Sequence, residues 1–238
     1  TSSDDFYIQM TTELEKVCGA TMVYIAIYNV ENGKEYIDTK AVVANGKLQD
    51  NFRFNLKYIP QELIAYSRPI LIKKDLCKRF PDIELFRTMR LESLINRPMI
   101  NEEGGTEGSI VLHFTEPRED DDSLNKVLDV FTSRAAAEVK RNRLEVQLHQ
   151  MAYFDYQTKL PNLTRMHELI KSTYDKNVEN NTQSVLIVID INKFTEVNRQ
   201  YGFENAELAI QKLGERLLAY SSPEITIARS GGDEFTML

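Results

Sequence analysis

The sequence predicts an α+β protein, in which an antiparallel sheet with flanking helices is followed by a long helix and a smaller α/β domain. Hairpin turns between β-rich runs dominate residues 20–114, a helical pattern fills about 121–151, and alternating helices and strands follow. At 238 residues the chain exceeds a typical single domain, so two compact units are expected. We place the boundaries at 1–120, 121–151 and 152–238.

The composition excludes several classes of function. Hydrophobic residues make up 42% and charged residues 27%, as in ordinary soluble proteins, and no apolar run approaches the ~20 residues that cross a bilayer. The net charge of −7 argues against a nucleic-acid surface, because phosphate binding needs an excess of Lys and Arg. Cys18 and Cys77 are too few for a disulfide framework or a structural zinc site. We expect a cytoplasmic protein with no membrane span and no nucleic-acid partner.

An amphipathic helix is expected at the start of the chain. Ser3 and Asp4 can cap it, and Gly19 can end it. One face carries apolar residues at every third or fourth position: Phe6, Met10, Leu14 and Val17. This spacing is typical of a helix that packs one side on a core.

Two hairpins predict the sheet of the first domain. Asn32-Gly33 is the dipeptide that most readily forms a tight two-residue turn, and it joins two β-rich runs. Residues 101–105 form a second turn. The expected strands are 22–30, 34–43, 69–72, 93–100 and 109–114, with short helices at 60–66 and 82–89.

A long helix is predicted at about 121–151, because no Gly or Pro interrupts this stretch. One stripe of the helix is apolar: Leu124, Val127, Leu128, Phe131, Ala135, Val139, Leu144, Leu148 and Met151. A helix of about 30 residues spans about 45 Å, which is more than one small domain buries. Its apolar edge is therefore expected to contact a partner helix. The alternative is a helix packed entirely on its own sheet.

The second domain is predicted to alternate helix and strand after a turn at Leu160-Pro161-Asn162. Successive residues in the run 185–190 are apolar, so both faces of the expected strand are apolar. This is typical of a central strand buried on two faces. The run ends in Asp190. The other expected elements are helices at 164–174 and 204–220, a strand at 224–228, and strands on both sides of Gly231-Gly232.

Acidic residues at two strand ends predict a cation site. Gly231-Gly232 supplies a turn whose backbone a bulky ligand can approach, and Asp233 and Glu234 follow it. Successive strand residues face opposite sides, so one of these two acids would meet Asp190. A carboxylate pair with no basic neighbour needs a cation, and hard oxygen ligands suit Mg²⁺ bound together with substrate phosphates. The alternative is a polar surface turn without a ligand.

The six residues Ser230 to Phe235 resemble the signature of the GGDEF family, the diguanylate cyclases of bacterial cyclic-di-GMP signalling. Residues 155–162 (DYQTKLPN) are similar to the entry motif of the family, and residues 190–194 (DINKF), Asn198 and Gly202 fit its metal and guanine region. The resemblance covers residues from about 151 onward. It implies a palm-like α/β fold of the nucleotide-cyclase type, incomplete in this chain, which alone is expected to be inactive.

The resemblance also implies a chemistry. Two GTP-loaded domains meet antiparallel, and each 3′-hydroxyl attacks the α-phosphate of the other GTP, giving cyclic-di-GMP and two pyrophosphates. By this resemblance Asp190, the Ile191 carbonyl and Asp233 would hold Mg²⁺ or Mn²⁺, and Asp233 or Glu234 would assist deprotonation. The residues implied in substrate binding are Phe194, Asn198, Glu207, Gly231 and Gly232. One domain cannot complete the reaction, so a homodimer through the connecting helix and first domain is implied.

Departures from the family pattern support an alternative function. The substituted positions are Asn192, Thr195, Arg199, Phe203, Ala206 and Glu207. Thr195 replaces a Lys that steadies phosphate charge. The alternative is a degenerate domain that binds GTP weakly or not at all and regulates a downstream output, such as a phosphodiesterase domain. The R-x-x-D product site of the family falls on Ser222 and Ile225, so product inhibition there is expected to be absent.

The first domain resembles the GAF domains, which are small-ligand sensory modules. The resemblance rests on residues 80–82 (FPD), 93–98 (SLINRP) and the 101–108 turn before residues 109–112 (SIVL). It implies an unknown small ligand or self-pairing. Attachment of a bilin is not expected, because Cys77 precedes Lys78 instead of the usual His. The leading hypothesis is a sensory domain that controls a diguanylate cyclase domain through the long helix.

Overall fold

The computed structural model describes residues 3–238 and divides the chain into two compact units, Thr1–Arg143 and Leu144–Leu238. An antiparallel sheet with helices comes first, a long helix follows, and a smaller mixed unit ends the chain. The predicted α+β fold class is confirmed. The boundaries proposed at residues 120 and 151 stay predictions.

The first unit is built on a seven-stranded sheet. Its strands are β1 (Met22–Glu31), β2 (Lys34–Ala44), β3 (Lys47–Gln49), β4 (Arg53–Asn55), β5 (Ile70–Ile72), β6 (Ser93–Ile100) and β7 (Thr106–Phe114). The spatial order is β3-β2-β1-β7-β6-β5, and β4 pairs with β2. All these pairings are antiparallel. Strands β1 and β7, far apart in sequence, therefore form the centre of the sheet.

Helices cover both faces of this sheet. They are α1 (Ser3–Cys18), α2 (Leu76–Arg79), α3 (Glu84–Thr88) and α4 (Asp122–Tyr153), with 3-10 helices at Leu56–Tyr58 and Gln61–Leu63. The core on one face joins α1, the sheet and α4 through residues such as Leu14, Ile25 and Leu128. The core on the other face includes Phe86, from α3, and Val111. Helix α4 continues from the first unit into the second.

Helix α1 packs most of its predicted apolar stripe on the core. Met10 and Leu14 are buried and Phe6 packs against the same cluster, but Val17 is 66% exposed. Tyr7 and Cys18 are buried as well, so the buried face is shifted toward them. Ser3 and Asp4 lie in the first turn of the helix. Gly19, with φ +61°, follows its end as predicted.

Short elements of the first unit differ from their predictions. The helix expected at 60–66 is only the 3-10 turn Gln61–Leu63, because its backbone bonds join residues three apart and Ile64 is already extended. The helix expected at 82–89 is reduced to α3. Strands β3 and β4 were not predicted. Asn45-Gly46, with φ +52° and +74°, forms the turn between β2 and β3.

The second unit contains a three-stranded antiparallel sheet in the order β8-β10-β9. The strands are β8 (Ile187–Asp190), β9 (Ile227–Gly231) and β10 (Glu234–Met237), and the helices are α5 (Leu163–Asn180), α6 (Phe194–Tyr201) and α7 (Phe203–Leu218). Asn162 caps α5 by accepting a hydrogen bond from the Arg165 N–H. Leu160, Ile210, Ile227 and Phe235 form the apolar centre of the unit.

The prediction of a central, doubly buried strand at 185–190 is wrong. Strand β8 lies at the edge of the described sheet, and Val185 and Val188 are 72% and 61% exposed. β10 pairs with one side of β8, and no strand within residues 3–238 pairs with the other. Among these residues, no helix combines the length and apolar character needed to cross a bilayer.

Candidate functional site

Gly231-Gly232 forms the tip of the β9–β10 hairpin, as predicted. The two glycines have φ of +139° and +53°, a region that favours glycine. A Cβ atom at either position would have no atom within 4 Å. Glu234 pairs with Gly231 but Phe235 pairs with Arg229, so the residue between them in β9 is bulged. The turn is therefore open to a ligand on its outer side.

The ends of β8 and β10 bring acidic residues together. Glu234 lies directly across from Asp190. Of the two acids after the glycine turn, Asp233 and Glu234, it is therefore Glu234 that faces Asp190. The Ile191 N–H donates to the Asp233 carbonyl at 3.3 Å. Residues directly opposite in an antiparallel pair have Cβ atoms about 4.5–5.5 Å apart. Within the described chain, neither Asp190, Asp233 nor Glu234 has a side-chain hydrogen bond or a salt bridge.

This arrangement fits a divalent cation shared with a ligand. Like charges directly across two strands destabilise the pairing, and a cation between Asp190 and Glu234 removes that repulsion. Carboxylate and backbone carbonyl oxygens are the donors that Mg²⁺ prefers. Residues 3–238 contain no group of three or more His, Cys, Asp or Glu side chains placed to hold a metal ion. A cation here would therefore complete its coordination with oxygens from water or from a bound ligand.

A buried arginine holds the glycine turn from within the unit. Arg229 is 8% exposed, and its guanidinium donates to the Gly232 carbonyl through Nε at 3.1 Å and Nη2 at 2.6 Å. Its Nη1 donates to both carboxylate oxygens of Asp155, at 3.1 and 3.2 Å, and to Gln157 Oε1 at 2.6 Å. One side chain thus connects the turn to the segment that follows α4.

Asp155 is the counter-ion of this arginine. Burial alone would raise its pKa, but hydrogen bonds from the Thr158 N–H and hydroxyl, together with Arg229, outweigh burial and hold the pKa below its usual value. The two Thr158 groups donate to Asp155 Oδ1 at 2.8 and 2.7 Å. Arg229 was not predicted from the sequence as a residue of the site. Its position directly after the apolar pair Ile227-Ala228, at the end of an expected strand, is the signal that could have identified it.

The residues predicted to bind guanine lie on two helices joined by one glycine. Asn198 is on α6 and Glu207 on α7, and Gly202, with φ +81°, separates the helices. Asn198 Oδ1 is buried without a hydrogen-bond partner. Gln157 Nε2 donates to the backbone carbonyl of Glu207 at 3.0 Å. Phe194 packs in the apolar cluster of Phe235, which places the start of α6 beside β10.

The substituted positions are also visible in the structure. Thr195 and Phe203 are exposed, so neither supplies a cation to a bound phosphate. Lys193 Nζ lies 3.7 Å from Glu196 Oε2, and the lysine side chain is largely exposed. Ser222 and Ile225 exchange backbone hydrogen bonds of 3.0 and 3.1 Å across a tight turn, and neither side chain carries a charge.

Residues 152–238 match the family model described as "Diguanylate cyclase, GGDEF domain". This segment is a GGDEF domain. The chain is 22% identical over 237 residues to diguanylate cyclase DgcP of Escherichia coli, covering 97% of this chain and 69% of that protein. It is 31% identical over 115 residues to the bifunctional diguanylate cyclase/cyclic di-GMP phosphodiesterase MucR of Pseudomonas aeruginosa, covering 48% of this chain and 16% of MucR. The chain thus corresponds to a small part of MucR.

Solved structures similar to the chain fall into two groups. The coiled coil and GGDEF domain of DgcB from Caulobacter crescentus, in complex with c-di-GMP, is 26% identical with a TM-score of 0.42, covering 46% of this chain and 58% of that chain. The phycoerythrobilin-bound GAF domain from a cyanobacterial phytochrome is 15% identical with a TM-score of 0.47, covering 60% and 88%.

Proposed function

We propose that the GGDEF domain joins two molecules of GTP into cyclic-di-GMP, with release of two pyrophosphates, and that the first unit controls this reaction as a GAF-like sensory domain. The observation that carries the proposal is the direct pairing of Asp190 with Glu234 beside the open Gly231-Gly232 turn. Uncompensated carboxylates next to an unobstructed backbone suit a metal-bound nucleoside triphosphate.

The roles proposed for the residues of this site are those that the family resemblance implies. Asp190, the Ile191 carbonyl and Asp233 would hold Mg²⁺ or Mn²⁺, and such a cation stabilises the attacking and leaving oxygens of phosphoryl transfer. Glu234 or Asp233 accepts the proton of the 3′-hydroxyl. The 3′-oxygen then bonds to the α-phosphorus of the second GTP, and the bond from that phosphorus to pyrophosphate breaks.

The buried, unpartnered Asn198 Oδ1 supports recognition of a guanine N–H on α6. Glu207 is one methylene longer than the Asp that the family resemblance predicts there, so its carboxylate reaches further from α7. A single domain binds one GTP and the reaction joins two. A homodimer is therefore part of the proposal.

A second function is favoured by the exposed, uncharged Thr195 and Phe203. A phosphate group near these positions would lack a neutralising cation, and losing one such group costs about 3–4 kcal/mol of transition-state stabilisation. In this second function the GGDEF domain makes no product and regulates a downstream output instead.

Incubation of the full-length protein with GTP and Mg²⁺, followed by quantification of cyclic-di-GMP, decides between the two functions. The cyclase proposal predicts product from the parent, a loss of about 10²-fold or more in Asp233→Asn, and little change in Glu224→Gln, an exposed acid outside the site. Absence of product from the parent, with GTP still raising its melting temperature, supports the regulatory function. Absence of both effects contradicts the cyclase proposal and favours a regulatory domain that does not bind GTP.

A further inference from the structure

A cavity of about 580 Å³ lies in the first unit. Its floor includes Tyr24, Val111 and Asn96, on the face of the sheet opposite the core that contains α1, because neighbouring residues such as Ile25 and Leu112 belong to that core. Its cover is apolar: Ile59, Pro60, Leu63, Leu85 and Phe86. Small-molecule sites typically have volumes of about 300–1,000 Å³ and apolar linings with a few polar groups.

Three paired residues form a row across the cavity floor. Tyr24 of β1 pairs with Val111 of β7, and Val111 pairs with Asn96 of β6. Adjacent strands are about 4.8 Å apart, so the backbones of Tyr24 and Asn96 are separated by roughly 10 Å. The row therefore has an apolar centre and a polar residue at each end.

Each polar end of the row has an oxygen atom without a protein partner among residues 3–238. Asn96 is 3% exposed, and its Nδ2 donates to the Leu63 carbonyl at 2.8 Å, but its Oδ1 has no hydrogen-bond partner. The Tyr24 hydroxyl makes no hydrogen bond within the part of the chain that the structure describes. Burial raises its pKa, so the hydroxyl stays protonated and able to donate. A buried acceptor without a donor is costly, and a ligand N–H or O–H would remove that cost.

His113 packs against two residues of the lining, Tyr24 and Phe86, but is not itself a lining residue. Its ring lies 5.7 Å from the Tyr24 ring and 5.4 Å from the Phe86 ring, between centroids. Burial lowers the pKa of His113 to about 3, so this imidazole is neutral and places no charge behind the lining.

The charged residues of the lining are not available to an ionic ligand. Arg53 lies 2.7 Å from Glu31 Oε1 and 3.3 Å from Asp38 Oδ1, and its guanidinium stacks over the Tyr36 ring. Glu84, at the start of α3, is exposed. A phosphate or carboxylate inside the cavity would therefore have no unpaired cation among its lining residues, and burying such a charge alone is strongly unfavourable.

We infer that this cavity binds an uncharged, flat aromatic molecule with a hydrogen-bond donor at one end for Asn96 Oδ1 and a second polar group at the other end for the Tyr24 hydroxyl. The aromatic body covers Val111. This inference rests on the sensory role proposed for the first unit. Its test measures binding without nucleotide turnover, so it can fail or succeed independently of the cyclase proposal.

Three naphthalenes of the same shape test the inference by isothermal titration calorimetry on the whole chain. 2,6-Dihydroxynaphthalene carries a donor at each end, 2,6-dimethoxynaphthalene carries none, and naphthalene-2,6-dicarboxylate is anionic. We expect the diol to bind about tenfold or more tighter than the diether, and the dicarboxylate not to bind. No binding of the diol up to about 1 mM, or tighter binding of the dicarboxylate, would overturn the inference.

Two matched variants locate the binding. Tyr24→Phe removes only the hydroxyl oxygen at one end of the row and is expected to weaken the diol about three- to tenfold. Tyr28→Phe removes the same atom from the same strand, outside the cavity lining, where the hydroxyl lies 3.4 Å from the Ala65 carbonyl and from Ser109 Oγ. We expect this variant to bind the diol like the parent. Equal affinities in all three proteins would place the diol elsewhere and overturn the inference.

Discussion

Arg229 is the residue on which the geometry of the glycine turn depends. Lysine keeps the charge but lacks the planar fork that contacts Gly232 and Asp155 together. We expect Arg229→Lys to lower the free energy of unfolding of the second unit by about 2–4 kcal/mol, because a partly buried carboxylate and a carbonyl lose hydrogen bonds from the guanidinium. Hydrogen exchange of the β9 and β10 amides measures this loss.

Arg165→Lys is the matched control for that change. Arg165 lies 3.1 Å from Glu168 on α5, and both side chains are about half exposed. Exposed ion pairs of this kind contribute about 0–1 kcal/mol, so the expected loss is at most about 0.5 kcal/mol. Equal losses in the two variants would show that the buried bonds of Arg229 do not stabilise the unit.

The ion pair of Asp155 and Arg229 makes the free energy of unfolding of the second unit depend on pH. The folded pKa of Asp155 lies below its usual value. The contribution of the ionised carboxylate to the free energy of unfolding is therefore fully present above the unfolded pKa of about 3.9, and it is lost as the pH falls through the folded pKa. We expect the exchange protection of β9 and β10 to decrease as the pH falls from about 5 to below 3, and to decrease less in Asp155→Asn. Identical pH profiles for the two proteins would contradict this role.

At the residue scale, local patterns were predictable and distant partners were not. The glycine turn and its acids are consecutive residues, so they could be recognised together in the sequence. The pairing of Asp190 with Glu234 depended only on two strands being neighbours. Arg229 depends on Asp155, 74 positions away, and no local rule specifies that contact.

At the scale of elements, the edge position of β8 makes its residues tolerant of polar substitution. Ile187 of β8 and Ile227 of β9 both pair with Met237 of β10, but they are 47% and 1% exposed. We expect Ile187→Thr to change the free energy of unfolding of the second unit by less than about 0.5 kcal/mol. Ile227→Thr should cost about 2–3 kcal/mol, because it removes buried carbon and buries a hydroxyl.

Hydrogen exchange of the β10 amides compares the two variants within one sheet. An equally large loss in Ile187→Thr would contradict the exposed edge, and would mean that another chain or segment covers β8 in solution. A smaller loss in Ile227→Thr than expected would instead show that the β9 side of the sheet relaxes around the hydroxyl.

Strands bounded by recognisable turn sequences, such as Asn-Gly, were the easiest elements to predict. Strand β6 has the predicted bounds, and Asn32-Gly33 forms the predicted turn with φ of +51° and +72°. Asn45-Gly46 carries the same signal, and reading it would have revealed β3. For β8 the apolar run correctly indicated a strand, but composition does not specify how many neighbours a strand has. That number is set by the rest of the sheet.

At the scale of the whole molecule, α4 carries an exposed apolar seam that suits the proposed homodimer. Leu144, Leu148 and Met151 are 48%, 65% and 79% exposed, and their spacing of four and three residues is that of a coiled-coil contact. We expect Leu148→Glu to weaken the homodimer about tenfold or more, because a carboxylate would lie in the apolar contact. Sedimentation equilibrium of the full-length protein measures this change.

Val146→Glu introduces the same charge on the same helix, away from the seam. Val146 is 57% exposed, and at about 100° per residue it lies about 200° around the helix from Leu144. The dimer should be unaffected by this substitution. A monomeric parent, or equal weakening by the two variants, would rule out the seam as the interface.

The join between α4 and the glycine turn has a mechanical consequence. Tyr153 ends the helix, and two residues later the backbone of Asp155 is already fixed, with its N–H donating to the Leu160 carbonyl at 2.8 Å and its own carbonyl accepting from Lys159 at 2.9 Å. No flexible segment lies between the end of α4 and Asp155, which contacts Arg229. We therefore expect a rotation of the helix about its axis to be transmitted through Asp155 and Arg229 to the Gly232 carbonyl, and to reorient the loop that we propose receives the nucleotide.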